Sequence, residues 1–263
     1  MRAVVSPAKK KIVAIIQARV GSTRFPRKVL KRIEGRPMLW HVVERVKKAK
    51  LVNEVVIATT NREEDSAVEK IAKDCGVGFF RGSEEDVLDR YYRAAEKFGA
   101  NIVVRITADC PMIDPEIIDQ AIRFFLDGDY DYVSNTFPPT YPDGLDVEVF
   151  SSDALRRAWA EARKASEREH VTPYIRNHPE IFKLGNLKLE VDFSHMRWTV
   201  DRPEDLKFVR EIYKKLYREN KMFYMRDVLR LLEEKPELLK INKHIERDEG
   251  YKKSLREDRI VKL

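Results

Sequence analysis

The chain has 263 residues, enough to bury a sizeable core within one α/β domain without disulfide support. Its apolar content of 43% and aromatic content of 10% are typical of a globular protein and exclude global disorder. The net charge of +7 comes from 51 basic and 44 acidic residues that are interspersed, so an anionic small substrate explains it as well as nucleic acid does.

The first half of the chain alternates apolar runs with amphipathic segments. After a lead-in without periodicity, Met1 to Lys10, which we expect to be frayed, the pattern predicts strands over 12–16, 54–60, 77–80 and 101–107. Helices are predicted over 36–50, 63–75, 83–99 and 115–126, with Ser83 capping the third. This alternation predicts the α/β class, with a doubly wound, mostly parallel sheet covered by helices on both faces.

The pattern changes after Asp129. Short strands are predicted over 130–135, 145–150, 187–193 and 197–201, and helices over 153–164, 202–217 and 225–234. These elements add a small antiparallel insertion and C-terminal helices to the sheet. We expect a single domain over 1–235 and a charged, peripheral C-terminal arm over 236–263.

A basic loop follows the first predicted strand. It places Gly21 and Ser22 among the cations Arg19, Arg24 and Lys28. Such a loop can turn backbone N–H groups toward an anion while its side chains supply charge, as a nucleoside triphosphate requires. The alternative is a solvated basic turn. Because ligands bind outside the carboxyl ends of parallel strands, we expect the loop to face Asp109, which follows the strand over 101–107.

Several other classes of site are absent from the sequence. Two cysteines, Cys75 and Cys110, give neither a disulfide framework nor metal-ligand spacing, and the five histidines show no metal spacing. No Walker A, GxGxxG, GxSxG or HExxH motif occurs. Because no stretch approaches about 18 consecutive apolar residues and no apolar leader is present, we expect a cytoplasmic protein without membrane insertion.

Six segments together resemble one family. They are QARVGSTRFPRKVL, GSEEDVLDRYYRAA, RITADCPMIDP, DGLDVEVF, REHVTPYI and RWTVDRPEDL. In this order they resemble the cytidylyltransferases that make CMP-activated sugars, the ketodeoxyoctulosonate and acylneuraminate enzymes, and most closely the spore-coat polysaccharide (SpsF-type) branch. The resemblance covers 11–217 and implies a single nucleotidyltransferase domain with the Rossmann-like fold of nucleotide-diphospho-sugar transferases.

The resemblance also implies the nucleotide site. It assigns catalytic roles to Arg19, Lys28, Asp109 and Asp201, and it makes the two aspartates the ligands of Mg²⁺, which prefers hard oxygen donors. The residues implied to bind the nucleotide are Ala18, Arg19, Ser22, Arg24, Lys28, Arg81, Gly82, Arg90 and Asp109. As alternatives, Asp109 could cap the helix beyond Pro111 and Asp201 could cap the helix that begins at Arg202.

The acceptor side leaves more open. The residues in the region where the family binds its acceptor are Gly144, Asp146, Glu148, His170 and Tyr174. Strand alternation puts Asp146 and Glu148 on one face, so both could point into the cleft or, equally, into solvent. An acidic pair favours hydroxyls or an amine, which indicates an acceptor other than a usual sugar acid, for example a phosphorylated polyol or an amino compound.

We therefore expect an Mg²⁺-dependent enzyme that transfers CMP from CTP to a small acceptor and releases pyrophosphate. A nucleotide-sugar-dependent glycosyltransferase is an alternative, since that class has the same type of sheet and also binds a metal ion through carboxylates. A nucleic-acid-binding module would explain the net charge of +7, but the sequence has no aromatic-basic recognition motif, which argues against this class. The resemblance alone implies a homodimer.

Overall fold

The structure, a computed structural model, describes residues 10–261. The predicted lead-in therefore lies outside the described residues, apart from Lys10. The strands are β1 (Ile12–Gln17), β2 (Arg32–Ile33), β3 (Arg36–Pro37), β4 (Glu54–Thr60), β5 (Gly78–Gly82), β6 (Ile102–Thr107), β7 (Tyr132–Ser134), β8 (Glu148–Ser151) and β9 (Leu184–Asn186).

Ten α-helices surround these strands within residues 10–261. They are α1 (Met38–Val46), α2 (Ser66–Asp74), α3 (Val87–Lys97), α4 (Pro115–Asp127), α5 (Ser152–Glu161), α6 (Ala165–His170), α7 (Pro173–Arg176), α8 (Pro203–Leu216), α9 (Met225–Glu234) and α10 (Glu249–Arg256). Short 3₁₀ helices cover Lys28–Leu30, Glu63–Asp65 and Pro236–Ile241. None of the helices in this part of the chain combines the length and apolarity that a membrane span requires.

The main sheet has seven strands in the order β5-β4-β1-β6-β8-β7-β9. Strands β5, β4, β1 and β6 run parallel, and β8 pairs antiparallel with both β6 and β7. A separate two-stranded antiparallel sheet joins β2 and β3. The predicted α/β class and mostly parallel sheet are confirmed.

Strand β1 lies at the centre because its side chains are apolar on both faces. Ala14 and Ile16 belong to the core that α1, α4 and α8 cover, whereas Val13 and Ile15 pack in the core under α3 and α5. All four are fully buried. A five-residue apolar run thus forms a strand between two helical layers, as parallel sheets require.

Three local predictions are wrong. The segments 187–193 and 197–201 form no strands, because their backbone groups pair with loops: Phe193 N donates to Thr140 O at 2.8 Å and Trp198 N to Asp143 O at 2.6 Å. Ser83 does not cap α3; the N-cap is Asp86, whose side chain accepts from Asp89 N.

The C-terminal segment is not peripheral, contrary to the prediction. Asn242 is buried and donates from Nδ2 to Arg197 O at 3.0 Å and to Asp205 Oδ1 at 2.9 Å. On α10, Glu249 accepts two hydrogen bonds from Arg202 Nη2, at 2.9 and 3.1 Å. Composition alone could not show this, because a charged segment can pair with charges elsewhere as readily as with water.

Gly144 tests how closely the loop before β8 packs against the backbone of the segment before α8. Its φ is +110°, and an added Cβ would lie 2.5 Å from Thr199 N. We expect Gly144→Ala to lower the free energy of unfolding by about 3 kcal/mol or more, because backbone strain and a backbone clash add. Gly35→Ala is the matched control, since Gly35 has a φ of +78° with open space around it. Equal losses in urea denaturation would contradict the clash.

Asn242 tests whether the C-terminal segment is integral to the fold. We expect Asn242→Ala to cost about 1–3 kcal/mol of unfolding free energy, because it removes two buried hydrogen bonds. Asn177→Ala, at an exposed asparagine, is the control and should cost less than about 0.5 kcal/mol. A peripheral segment would make the two variants indistinguishable in chemical denaturation.

Candidate active site

The basic loop after β1 is fastened to the neighbouring strand. Val20 N donates to Asp65 Oδ1 at 2.6 Å, and the buried Asp65 also accepts from Thr60 Oγ1 at the end of β4. The loop then returns on itself, because Ser22 N and Arg27 N both donate to Val20 O. Its cations are therefore presented from a fixed turn at the carboxyl end of the sheet.

Lys28 joins the loop to both candidate metal ligands. Its Nζ donates to Asp109 Oδ2 and to Asp201 Oδ1, each at 2.7 Å, and to Val200 O at 3.1 Å. The Lys28 side chain is only 12% exposed, so water screens this pairing little. Burial disfavours the charged form, but Asp109 and Asp201 outweigh it and raise the pKa of Lys28. Burial likewise opposes the Asp109 carboxylate, but Lys28 holds its pKa well below the usual range.

Asp201 is held from its other side by Arg197. Arg197 Nη2 donates to Asp201 Oδ2 at 3.3 Å. The same guanidinium forms a bidentate pair with the buried Asp205, from Nε to Oδ1 at 2.9 Å and from Nη2 to Oδ2 at 3.1 Å. Asp205 Oδ2 also accepts from Asp201 N at 2.9 Å. Asp201 is therefore not the cap of α8, because Asp205 accepts from the backbone donors there. The Asp201 side chain pairs instead with Arg24, Lys28 and Arg197.

Asp109 is brought beside Asp201 by a backbone contact. Val200 N donates to Asp109 O at 2.9 Å, which ties the end of β6 to the segment before α8. Asp109 does not cap α4 either, since the N-cap is Asp114. The neighbouring Cys110 is buried, and burial followed by the Asp109 charge raises its thiol pKa well above normal, so it is a packed thiol.

A cavity of about 690 Å³ opens beside these charges. Eight of the residues singled out from the sequence line it: Ala18, Arg19, Ser22, Arg24, Lys28, Arg90, Asp109 and His170. Residues that the sequence analysis missed also line it, among them Gln17, Glu169, Arg202, Glu249 and Lys253. Half of the missed residues belong to the C-terminal segment, whose charged composition gave no signal that it returns to the site.

Arg90 is the most buried cation of this cavity, at 2% exposure. Its Nη1 donates to Ser83 O at 2.7 Å, while its buried Nε has no hydrogen-bond partner among the described residues. Burial lowers the pKa of Arg90 from its ordinary value. Because its Nε is unpaired among the described residues, the Arg90 guanidinium has hydrogen-bonding capacity left for a ligand in the cavity.

Arg81 and Gly82 do not line the cavity, contrary to expectation. Arg81 donates to Thr60 O at 3.0 Å and Arg62 O at 2.5 Å, and it pairs with Glu69 at 3.2 Å. Its guanidinium is occupied in bracing β5 against the turn before α2. The hydrogen bonds of Arg81 are therefore made within the protein, and the residue does not face the cavity.

The predicted acceptor residues are not brought together. Asp146 accepts from Arg247 Nη2 at 2.8 Å, and the buried Glu148 pairs with Arg105 and accepts from Tyr132 and Thr172, each at 2.5 Å. Neither carboxylate lines the cavity, because each is held by an arginine distant in sequence. The alternative in which both carboxylates point into the cleft is therefore wrong.

The other acceptor candidates divide. Gly144 packs on the backbone of Trp198 and Thr199, and Tyr174 donates to Glu161 at 2.5 Å, so neither lines the cavity. His170 does line it, and its Nε2 lies 2.9 Å from Ser254 Oγ on α10. Burial lowers the pKa of His170 to about 4, so its imidazole is neutral at pH 7.

The side chains of Asp109 and Asp201 offer the oxygen ligands that a divalent cation such as Mg²⁺ prefers, and they lie close enough to share one partner. Within residues 10–261 no group of three or more His, Cys, Asp or Glu side chains could hold a metal. Asp109 and Asp201 nevertheless converge on one positive charge, the Lys28 ammonium, from two directions. Two carboxylates that leave the remaining positions to phosphate oxygens and water are a typical Mg²⁺ ligand set.

Comparisons with known proteins agree with this geometry. The chain is 36% identical to the spore coat polysaccharide biosynthesis protein SpsF of Bacillus subtilis over 213 residues, which cover 78% of the chain and 87% of that protein. It is 43% identical to the 3-deoxy-manno-octulosonate cytidylyltransferase of Pelobacter propionicus over 116 residues, 44% of the chain and 45% of that protein. A solved cytidylyltransferase structure from Leptospira borgpetersenii matches with a TM-score of 0.84 and 33% identity, over 88% of this chain and 97% of that one.

The family model described as cytidylyltransferase matches residues 13–249, which include the basic loop, both carboxylates and the start of α10. The predicted family resemblance is confirmed. The chain therefore belongs to the cytidylyltransferase family and is a CTP-dependent nucleotidyltransferase.

Proposed function

We propose that the chain transfers CMP from CTP to a small acceptor, depends on Mg²⁺, and serves the biosynthesis of surface glycans or related conjugates. The observation that carries this proposal is that Asp109 and Asp201 both accept from the Lys28 ammonium, at a cavity that Lys28 and Asp109 line. The glycan context is supported by the similarity to the Bacillus subtilis spore coat polysaccharide biosynthesis protein.

The triphosphate binds along the loop after β1. Arg19, Arg24 and Lys28 supply positive charge and Ser22 a hydroxyl, and all four line the cavity. Arg24 and Lys28 both donate to Asp201 Oδ1, so they lie where phosphate oxygens meet the carboxylate pair. Their positive charges stabilise the negative charge that builds on the departing pyrophosphate.

Asp109 and Asp201 hold the metal ion. When bound, Mg²⁺ neutralises phosphate charge and polarises the α-phosphorus. Arg197 keeps Asp201 oriented, and the contact between Val200 N and Asp109 O fixes the spacing of the two carboxylates. Arg90 and Ala18 also line the cavity, and we place the nucleoside beside them.

The acceptor enters beside His170 and α10. Asp146 and Glu148 are neutralised by Arg247 and Arg105, so they give no preference for an amine. An acceptor oxygen attacks the α-phosphorus, an O–P bond forms, the bond to the β-phosphate oxygen breaks, and pyrophosphate leaves. No covalent enzyme intermediate is required, which agrees with Cys110 being a buried thiol. We also propose a cytoplasmic homodimer, which sedimentation of the purified chain would test.

Substitution of each carboxylate tests the proposal. We expect Asp109→Asn and Asp201→Asn each to lower the rate of pyrophosphate release from CTP, measured with Mg²⁺ and the acceptor present, by about 10²-fold or more. The reason is that each substitution removes one anionic oxygen ligand of the metal. The acceptor is first found by screening sugar acids, phosphorylated polyols and amino compounds with the unmodified enzyme. Asp153→Asn, at a carboxylate that is 88% exposed, is the control and should retain full rate.

Full activity in either active-site variant would refute the metal assignment. Release of a nucleoside diphosphate from a nucleotide sugar, with no pyrophosphate from CTP and any acceptor, would instead identify a glycosyltransferase. Thermal unfolding of each variant distinguishes a lost ligand from a lost fold, since Asp201 also contacts Arg24 and Arg197.

A further inference from the structure

We propose that Lys28 keeps Asp109 and Asp201 closed to a divalent cation until a nucleotide draws its ammonium away, so that metal and nucleotide bind as a linked pair. This inference rests on the proposed function for the identity of the ligands. It adds a thermodynamic role to Lys28 that phosphate binding alone does not require.

The first step is that the lysine occupies the position a metal would need. Lys28 Nζ contacts one oxygen of each carboxylate at 2.7 Å, so it bridges the same pair of groups. Arg24 Nη2 shares Asp201 Oδ1 at 2.8 Å, and Arg197 Nη2 takes Asp201 Oδ2 at 3.3 Å. Both oxygens of Asp201 therefore already face cations.

The second step concerns charge. The two carboxylates carry two negative charges, and the Lys28, Arg24 and Arg197 cations that contact them offset these before any metal arrives. A divalent cation between the carboxylates would lie next to the Lys28 ammonium, whose side chain is 12% exposed and poorly screened. Metal binding without nucleotide is therefore disfavoured by like-charge repulsion.

The third step is that a triphosphate supplies Lys28 with another partner. Lys28 lines the same cavity as Arg19 and Ser22, and its four-carbon side chain is flexible. An anion on this loop lets the ammonium leave the carboxylates while remaining paired. By linkage, whatever factor the nucleotide adds to metal affinity, the metal adds to nucleotide affinity.

Separate binding measurements test the proposal without turnover. Mn²⁺ replaces Mg²⁺, and its affinity is measured by electron paramagnetic resonance without nucleotide; CTP affinity is measured by calorimetry with metal removed by EDTA. We expect Lys28→Met to bind Mn²⁺ about tenfold or more tightly than the unmodified chain, within the usual range of coupling. The same variant should bind metal-free CTP more weakly.

Matched variants separate this role from others. Lys28→Arg keeps the cation and should not gain Mn²⁺ affinity, and Lys31→Met removes an exposed lysine of the same region and should change neither affinity. If Lys28→Met does not fold, Lys28→Gln, which removes the charge but keeps a polar head, serves in its place with the same expectation.

Each outcome has a defined meaning. Equal Mn²⁺ affinity in Lys28→Met and the unmodified chain, at a site that Asp109→Asn abolishes, would overturn the inference about Lys28 and leave the proposed function standing. Mn²⁺ binding in Lys28→Met that Asp109→Asn does not weaken would show that the metal lies elsewhere, and the metal assignment in the proposed function would fail. Opposite shifts in Mn²⁺ and CTP affinity support the proposal.

Discussion

The Lys28 ammonium, shared between Asp109 and Asp201, joins three segments that lie far apart in the chain. One follows β1, one follows β6, and one precedes α8. The first two end together because parallel strands place their carboxyl ends at one edge of the sheet, and the hydrogen bond from Val200 N to Asp109 O brings the third beside them. The ion pair is shielded from water, so its geometry is set by these segments rather than by solvent. The cavity and its charges depend on this junction.

The junction is supported by a second layer built around Arg197. This guanidinium pairs with Asp205 and Asp143 and touches Asp201, while Asn242 of the C-terminal segment donates to the same Asp205 carboxylate. A buried network of this kind is costly unless every member has a partner, which explains why the C-terminal segment packs closely here. The site is thus assembled from nearly the whole length of the chain.

The sequence predicted what local pattern and order determine. The apolar run at Ile12–Ile16, the helix that starts at Pro115 and the position of Lys28 opposite Asp109 follow from periodicity and from parallel topology. The ion pairs of Glu148 and Arg81 could not be predicted from the sequence. Strand alternation places a side chain on one face of a sheet, but it does not reveal a partner on another strand, such as Arg105 for Glu148. The C-terminal segment was misplaced for the same reason.

A crystal structure of the chain with Mg²⁺ and a non-hydrolysable CTP analogue tests the central claim most directly. The account predicts the triphosphate along the loop between Arg19 and Lys28, an ion between Asp109 and Asp201, and the Lys28 ammonium moved from both carboxylates onto phosphate oxygen. Nucleotide bound elsewhere, or an ion held away from the two aspartates while Lys28 still bridges them, would contradict it.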